Sequence, residues 1–320
     1  MTKRATPKRG AGRRALHAQP LVDFTAALAG WGYPVAHGVG YDGAAYVVAA
    51  RPSTEQLTVE HGLGVFPKTR RDRPLDHLVL RWSGENLEQW VVPSVAANVS
   101  FVQPLGAEVL LASARCHASA SGPEHNGLVV DRRGAVTRTL VLGDGLADVR
   151  TTPDGDIWLS YFDEGVYGNY GWQQPMGASG LVQLDASGAV RFEYDASSAG
   201  TGPIDDVYAT NLTPSGDLWI YFYSDFALVR VHADRYERFA SRVEGARAVA
   251  IADDRALLVG TYGHPDHGTI VSLRRGARAA PEAVRIQMES RGSLASARLV
   301  ARGDTVWVFD GRSVSVLAGW

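Results

Sequence analysis

A short motif recurs six times along this chain and restricts it to a modular fold built of strands. The clearest copies are Thr152-Pro-Asp-Gly-Asp-Ile-Trp-Leu-Ser-Tyr-Phe and Thr213-Pro-Ser-Gly-Asp-Leu-Trp-Ile-Tyr-Phe-Tyr. Each joins a turn rich in Pro, Gly and Asp to an apolar run suited to a strand. Weaker copies start at Gly40, Gln103, Ile251 and Val300. The landmark positions Gly43, Gly106, Gly155, Gly216, Asp254 and Gly303 lie 63, 49, 61, 38 and 49 residues apart. That spacing is too wide and too uneven for a stacked solenoid. It suits a β-propeller with inserted loops, because a repeat made only of strands closes into blades.

Each copy reads as an innermost strand, a turn and a second strand, and a further strand pair with a polar turn follows it. Ser83-Gly84-Glu85-Asn86, Arg132-Arg133-Gly134 and Ala186-Ser187-Gly188 are such turns. The last copy runs out of chain after three strands. Residues 21–27, Leu-Val-Asp-Phe-Thr-Ala-Ala, are expected to supply the fourth, which would remove an exposed sheet edge. The expectation is an all-β, six-bladed β-propeller of four-stranded antiparallel blades, formed as one domain by residues 21–320 and closed by an N-terminal strand. Trp158, Trp219 and Trp307 occupy one equivalent place in three copies; packing between blades is favoured over a ligand lining.

Charge divides unevenly. Residues 1–20 carry six basic and no acidic side chains, leaving 26 basic against 34 acidic residues in the other 300. With little apolar surface to bury, residues 1–20 are expected to form a disordered basic tail, whether a polyanion contact, a docking arm onto the acidic body or a plain solvated leader. The acidic body argues against a dedicated nucleic-acid binder except through that tail. No apolar run approaches the roughly 18 residues of a membrane span, and no signal-type segment follows the basic start. One cysteine, Cys116, cannot form an internal disulfide. A cytoplasmic protein is expected.

Pro153-Asp-Gly-Asp-Ile-Trp-Leu-Ser and Pro214-Ser-Gly-Asp-Leu-Trp-Ile-Tyr resemble the repeated segment of the streptogramin-lyase, NHL and gluconolactonase-type propellers. The resemblance is good at two copies, partial at four, and implies fold rather than chemistry. Similar propellers include metal-dependent lyases and lactonases as well as binding scaffolds. The His/Glu signature of the lyases does not align to this chain, so lyase activity is not carried over.

Strand alternation puts the loops after each second strand on one face, and those loops are the long ones: about 51–77, 115–126, 163–179 and 262–268. Long loops on a rigid scaffold are where binding and catalysis sit. His61, His77, His117, His125, His264 and His267 fall in them, with His37 on an innermost strand beside them. His117 and His264 are candidate acid/base groups, with Glu164 as a candidate carboxylate. His264-Pro-Asp-His267 is a weak metal signal by itself. Cys116 beside His117 could be an activated thiol or, as favoured, a small buried residue.

Asn98, Asp148 and Asp206 begin the innermost strands of three consecutive copies. Convergent oxygens would hold Ca²⁺ or Mg²⁺, and gluconolactonase-type propellers are similar in binding a divalent metal with carboxylate and amide ligands at the axis. The alternative is that each bonds its own linking loop. Arg247 and Arg298 stand at the corresponding starts across the ring; they would read a carboxylate or a zwitterion, or simply pair with the acids. The loop Asp163-Glu-Gly-Val-Tyr167-Gly-Asn-Tyr170-Gly-Trp172 alternates glycine with aromatics, as a lid or recognition element does, or as an ordered loop packing its own rings. Two functions follow. One is a scaffold that takes a small molecule or peptide at the mouth; the other is a metal-assisted hydrolase or lyase at the same place.

Overall fold

The computed structural model describes residues 14–61, 64–233, 235–274, 280–290 and 292–320. The molecule is all-β. Four antiparallel sheets of four strands each are built in chain order from Pro34–Val39 to Asn86–Ala97, Val99–Leu105 to Val136–Leu140, Leu146–Thr151 to Val190–Glu193, and Asp206–Leu212 to Arg235–Ala240. The fifth is a composite of eight strands, in which Ala248–Ala252 to Glu282–Met288 and Arg298–Arg302 to Ser313–Leu317 are joined through Arg14–Asp23. Among the described residues no helix is long and apolar enough to cross a membrane.

The repeated motif forms these sheets because its turn is locally determined. In the third and fourth units Gly155 and Gly216 donate back to Thr152 and Thr213 at 3.1 and 3.0 Å. Both glycines sit at positive φ, +89° and +84°, which a side chain would strain. The fifth copy, which lacks glycine here, uses Asp253 at φ 48° instead, a tolerance asparagine and aspartate share. Beyond each turn the apolar run becomes a buried strand such as Ala45–Ala50 or Leu218–Tyr223.

First strands neighbour one another in a closed cycle. Pro34–Val39 lies against Val99–Leu105, then in order come Leu146–Thr151, Asp206–Leu212, Ala248–Ala252 and Arg298–Arg302, which returns to Pro34–Val39. Apolar clusters fill the wedges between successive units, one with Leu110, Leu159 and Tyr161, another with Tyr221, Leu258 and Val271. The tryptophans join this packing: Trp219 is buried, with its ring 5.4 Å from Phe239, and Trp158 meets Phe192 edge-on at 5.4 Å.

The closing strand differs from the sequence expectation in its bounds. It runs over Arg14–Asp23, where a strand over 21–27 was expected, and Arg14–Pro20 is therefore strand where the basic tail was expected; residues 1–13 of that tail lie outside the described residues. Its first half pairs in parallel with Val284 to Met288 and its second half antiparallel with Ser313 to Val316. Phe24 and Leu28, beyond the strand, are buried as anchors. Only Leu16 and Ala18 of residues 14–20 face the core, the alternation of an edge strand with one wet face.

Buried asparagine amides lock neighbouring units together. Asn211 Nδ2 donates to Val249 O at 2.8 Å and Gly303 O at 2.7 Å, and its Oδ1 accepts from Gly303 N at 2.8 Å. Asn126 does the same for Ser113 O, Gly143 O and Leu142 N. Removing such an amide leaves several buried backbone groups unpaired. Asn211→Ala is expected to cost about 2 to 4 kcal/mol in urea unfolding; an unchanged midpoint would refute the clamp.

Candidate functional site

The starts of four first strands, at Asp148, Val207, Arg247 and Arg298, meet around one cavity and so mark one end of the cycle. The loops above them are knitted together. Arg115, almost fully buried, makes a bidentate pair with Asp144 at 3.0 and 2.8 Å and a further ion pair with Glu164. Its guanidinium lies 4.1 Å over the Tyr170 ring. Tyr170 donates to Pro67 O at 2.6 Å, and Trp172 Nε1 donates to Cys116 O at 2.7 Å. Glu164, Tyr170 and Trp172 are thus engaged in fastening the loops of the first three units, the ordered-loop alternative of the sequence reading. Asp163 to Tyr167 is one helical turn, and exposed Tyr167 donates to Asp205.

Two expected long loops are largely strand. The 51–77 segment holds the hairpin Thr58–His61 with Gly64–Pro67, and His77 lies buried in Arg70–Ser83, its Nδ1 3.0 Å from Leu75 O. The 262–268 loop is a tight turn at Tyr262-Gly263, followed by the strand His264–Ser272. His264 and His267 stack on each other at 4.4 Å, with Asp266 4.0 Å from His267 and paired to Arg285. His117 is exposed and not joined to them; its backbone N–H donates to Glu124 at 3.1 Å. Burial, with Glu124 and Asp144 nearby, pushes the Cys116 thiol up to about 12, which removes it as a nucleophile at neutral pH.

The three oxygen-bearing starts separate in role. Asn98 Nδ2 donates to Lys68 O at 3.0 Å. Asp148 accepts from Arg150 Nε at 2.9 Å and Thr210 Oγ1 at 2.6 Å, with Arg298 at 3.6 Å. Asp148 is thus held by protein donors, and Asn98 by a backbone acceptor through its Nδ2. Among the described residues no group of three or more His, Cys, Asp and Glu side chains is placed to hold a metal. Arg247 is likewise engaged, donating to Leu294 O at 2.7 Å and Ala297 O at 2.5 Å.

Asp206 is different. Half-buried, its carboxylate takes part in no hydrogen bond recorded among the described residues, and burial followed by the charge of Asp163 lifts it to about 6. Tyr223 pairs directly across from it in the sheet. Tyr208, two residues on, hydrogen-bonds Tyr262 at 2.6 Å through the hydroxyls and lies parallel to Tyr223 at 6.4 Å. Tyr223 and Tyr262 are exposed. The mouth therefore presents two carboxylates among aromatic faces on the third to fifth units. Half-exposed Arg298 stands on the sixth, close to His37, whose ring packs on Phe309 at 5.0 Å.

Below this rim the axis narrows to a cavity of about 30 Å³ lined by Asp148, Arg150, Tyr208, Thr210, Arg247 and Arg298. Arg150 and Tyr208 escaped the sequence reading. A period of two would have found them, since each follows a singled-out acid by two residues on the same strand.

No protein-family model and no curated protein matches this chain. Among solved structures it is similar to a gluconolactonase of Xanthomonas campestris, at 10% identity over 97% of this chain and 99% of that one, with TM-score 0.45. A streptogramin B lyase aligns at 12% identity over 91% of this chain and 84% of that one, with TM-score 0.47. YCF48 bound to a D1 peptide aligns at 9% identity over 94% and 99%, with TM-score 0.46. The first two are of the kinds whose repeated segment the clearest motif copies resemble.

Two titrations follow from these surroundings. Raised to about 6, Asp206 holds its proton in the fold at pH values where the unfolded chain has lost it, so its contribution to stability declines from pH 4 to 6. Asp206→Asn should stabilise the protein at pH 7.5, on the order of 1 kcal/mol after solvent screening, and have little effect at pH 4. His37 is lowered to about 4 by burial and then by Arg298. Its unfolded form takes up a proton first, so stability should fall as pH drops from about 6.5 towards 4, and His37→Gln should flatten that limb of a pH series of melting curves.

Proposed function

We propose that the chain is a six-bladed β-propeller serving as a binding scaffold, and that its mouth takes a small molecule or peptide bearing an amine or other cation. The six inner hairpins and the closed cycle of first strands support the blade count. The observation that carries the binding reading is Asp206, a half-buried carboxylate without a hydrogen-bond partner among the described residues, beside Asp163 and the rings of Tyr208, Tyr223 and Tyr262. A cation there gains both ion pairing and aromatic faces, and an incoming ammonium supplies the partner Asp206 lacks. Arg298 across the mouth gives a carboxylate on the same ligand a place to bind, which fixes its direction.

A second reading, a hydrolase or lyase at the same mouth, is favoured by one feature. A carboxyl group titrating near 6 suits proton transfer at neutral pH.

The test is a thermal-shift panel of amines, amino acids and short peptides at pH 7.5, compared with isosteric neutral alcohols, with product formation followed in parallel. Cationic members are expected to raise Tm, and Asp206→Ala should weaken their binding at least tenfold, or about 1.4 kcal/mol. Lowering the pH through 6 should weaken them in the same way, because protonation removes the charge. Equal responses from amines and alcohols, or unchanged affinity in Asp206→Ala, would overturn the assignment of the mouth to cations.

A further inference from the structure

The axis beneath the mouth carries more positive charge than the protein neutralises. Arg150 is buried at 3% exposure, and Asp148 and Thr210 engage its Nε and Nη2, but its Nη1 is buried with no partner among the described residues. Arg302, at the end of the sixth first strand, has its Nη1 buried and unpartnered as well. Arg150 and Arg302 come from first strands on opposite sides of the cycle. Asp206–Leu212 also contacts Arg298–Arg302 across it, and the charge of Arg150 is felt at Arg302. Burial, then the charge of Arg150, brings Arg302 down to about 10.

The anionic groups nearby are already shared. Asp148 serves Arg150 and Arg298, and Asp42, whose charge acts on Arg302, is held by Arg81 at 2.8 and 3.0 Å and by the Tyr46 hydroxyl at 2.9 Å. Arg150, Arg247 and Arg298 line the axial cavity, and Arg302 lies beyond it, beside Tyr41, Thr152 and Thr213. Arg150 is paired with Asp148, but a buried N–H donor without an acceptor is destabilising, so a fold that leaves Nη1 of both Arg150 and Arg302 idle gains by taking up a counter-ion. The cavity of about 30 Å³ at Arg150 has room for one monoatomic ion and excludes a bulky one.

We propose that the axis binds a small inorganic anion of chloride size, held by the free Nη1 of Arg150 with Arg302 as the second charge. This site is distinct from the cation-binding rim at Asp206, and it ties the third and sixth units together through a shared ion.

The test uses the full chain at constant ionic strength, with sodium bromide or chloride exchanged stepwise for sodium isethionate. Halide is expected to raise Tm by about 2 to 3 °C at concentrations well above its dissociation constant. Arg302→Met should reduce that rise and Arg150→Met abolish it, while both leave the Asp206-dependent response to amines in place. Crystals soaked in bromide should give an anomalous peak on the axis within hydrogen-bonding reach of Arg150. Should Arg150→Met fail to fold, Arg302→Met and the anomalous map still decide. Equal Tm in halide and isethionate, a halide response unchanged in Arg302→Met, or bromide confined to surface positions would each overturn the proposal. Loss of the amine response with halide binding intact would instead count only against the reading of the mouth.

Discussion

Everything in this molecule depends on the pairing made by Arg14–Asp23. A cycle of antiparallel units leaves two open edges wherever the chain begins and ends, and open edges both aggregate and let the ring breathe. Here one strand serves two units: Arg14 to Ala18 continues the outer strand of the fifth in parallel, and Gln19 to Asp23 completes the sixth. This backbone ladder is reinforced by few side chains, chiefly Leu16 and Ala18 inside and the exposed Arg14–Glu282 pair outside. Exposed ion pairs add little, so closure rests on main-chain hydrogen bonds and on Phe24 and Leu28 buried just beyond.

A closed ring has a consequence for polarity. The cycle of first strands leaves a narrow axis that apolar side chains alone do not fill, and the lining there includes Asp148, Arg150, Thr210, Arg247 and Arg298. Some of these are satisfied by each other, as in the Asp148–Arg150–Thr210 network. Others are not, and the buried Nη1 atoms of Arg150 and Arg302 mark where the folded chain retains unspent hydrogen-bonding capacity. Such groups cost the fold more than an apolar residue of the same size would.

The hairpins were legible in the sequence because their determinants are local. Thr152 and Gly155, or Thr213 and Gly216, form the same turn whatever surrounds them. The closing strand was less legible: Leu16 is the one large apolar side chain in Arg14 to Pro20, and only the inward alternation of Leu16 and Ala18 signals an edge strand. At the mouth, Asp206 could be placed by counting from the repeat, yet Asn98 and Asp148 looked the same at that level. What separates them is tertiary, namely whether Lys68 O or the Arg150 guanidinium arrives to occupy the side chain. The glycines and rings of the Asp163 to Trp172 loop allowed either a lid or an ordered loop, and what fastens it, the Arg115 guanidinium against Tyr170 and Glu164, comes from another segment of the chain.

The arrangement of charge at the mouth also explains why Asp206 is left without a partner while its neighbours are saturated. Arg298 is drawn towards Asp148, and Arg247 is turned away to two backbone carbonyls, so no guanidinium reaches the Asp163–Asp206 side. The mouth thereby keeps the Asp163–Asp206 side apart from Arg298. Separated charges over a low-dielectric barrel wall produce a directed field, and a ligand with a cation at one end and an anion at the other lowers its energy in one orientation only. Collapse of the two sides into a salt bridge would cancel that field. Asp148, 3.6 Å from Arg298, holds it on its own side, and the Asp206 carboxylate stays without a hydrogen-bond partner among the described residues.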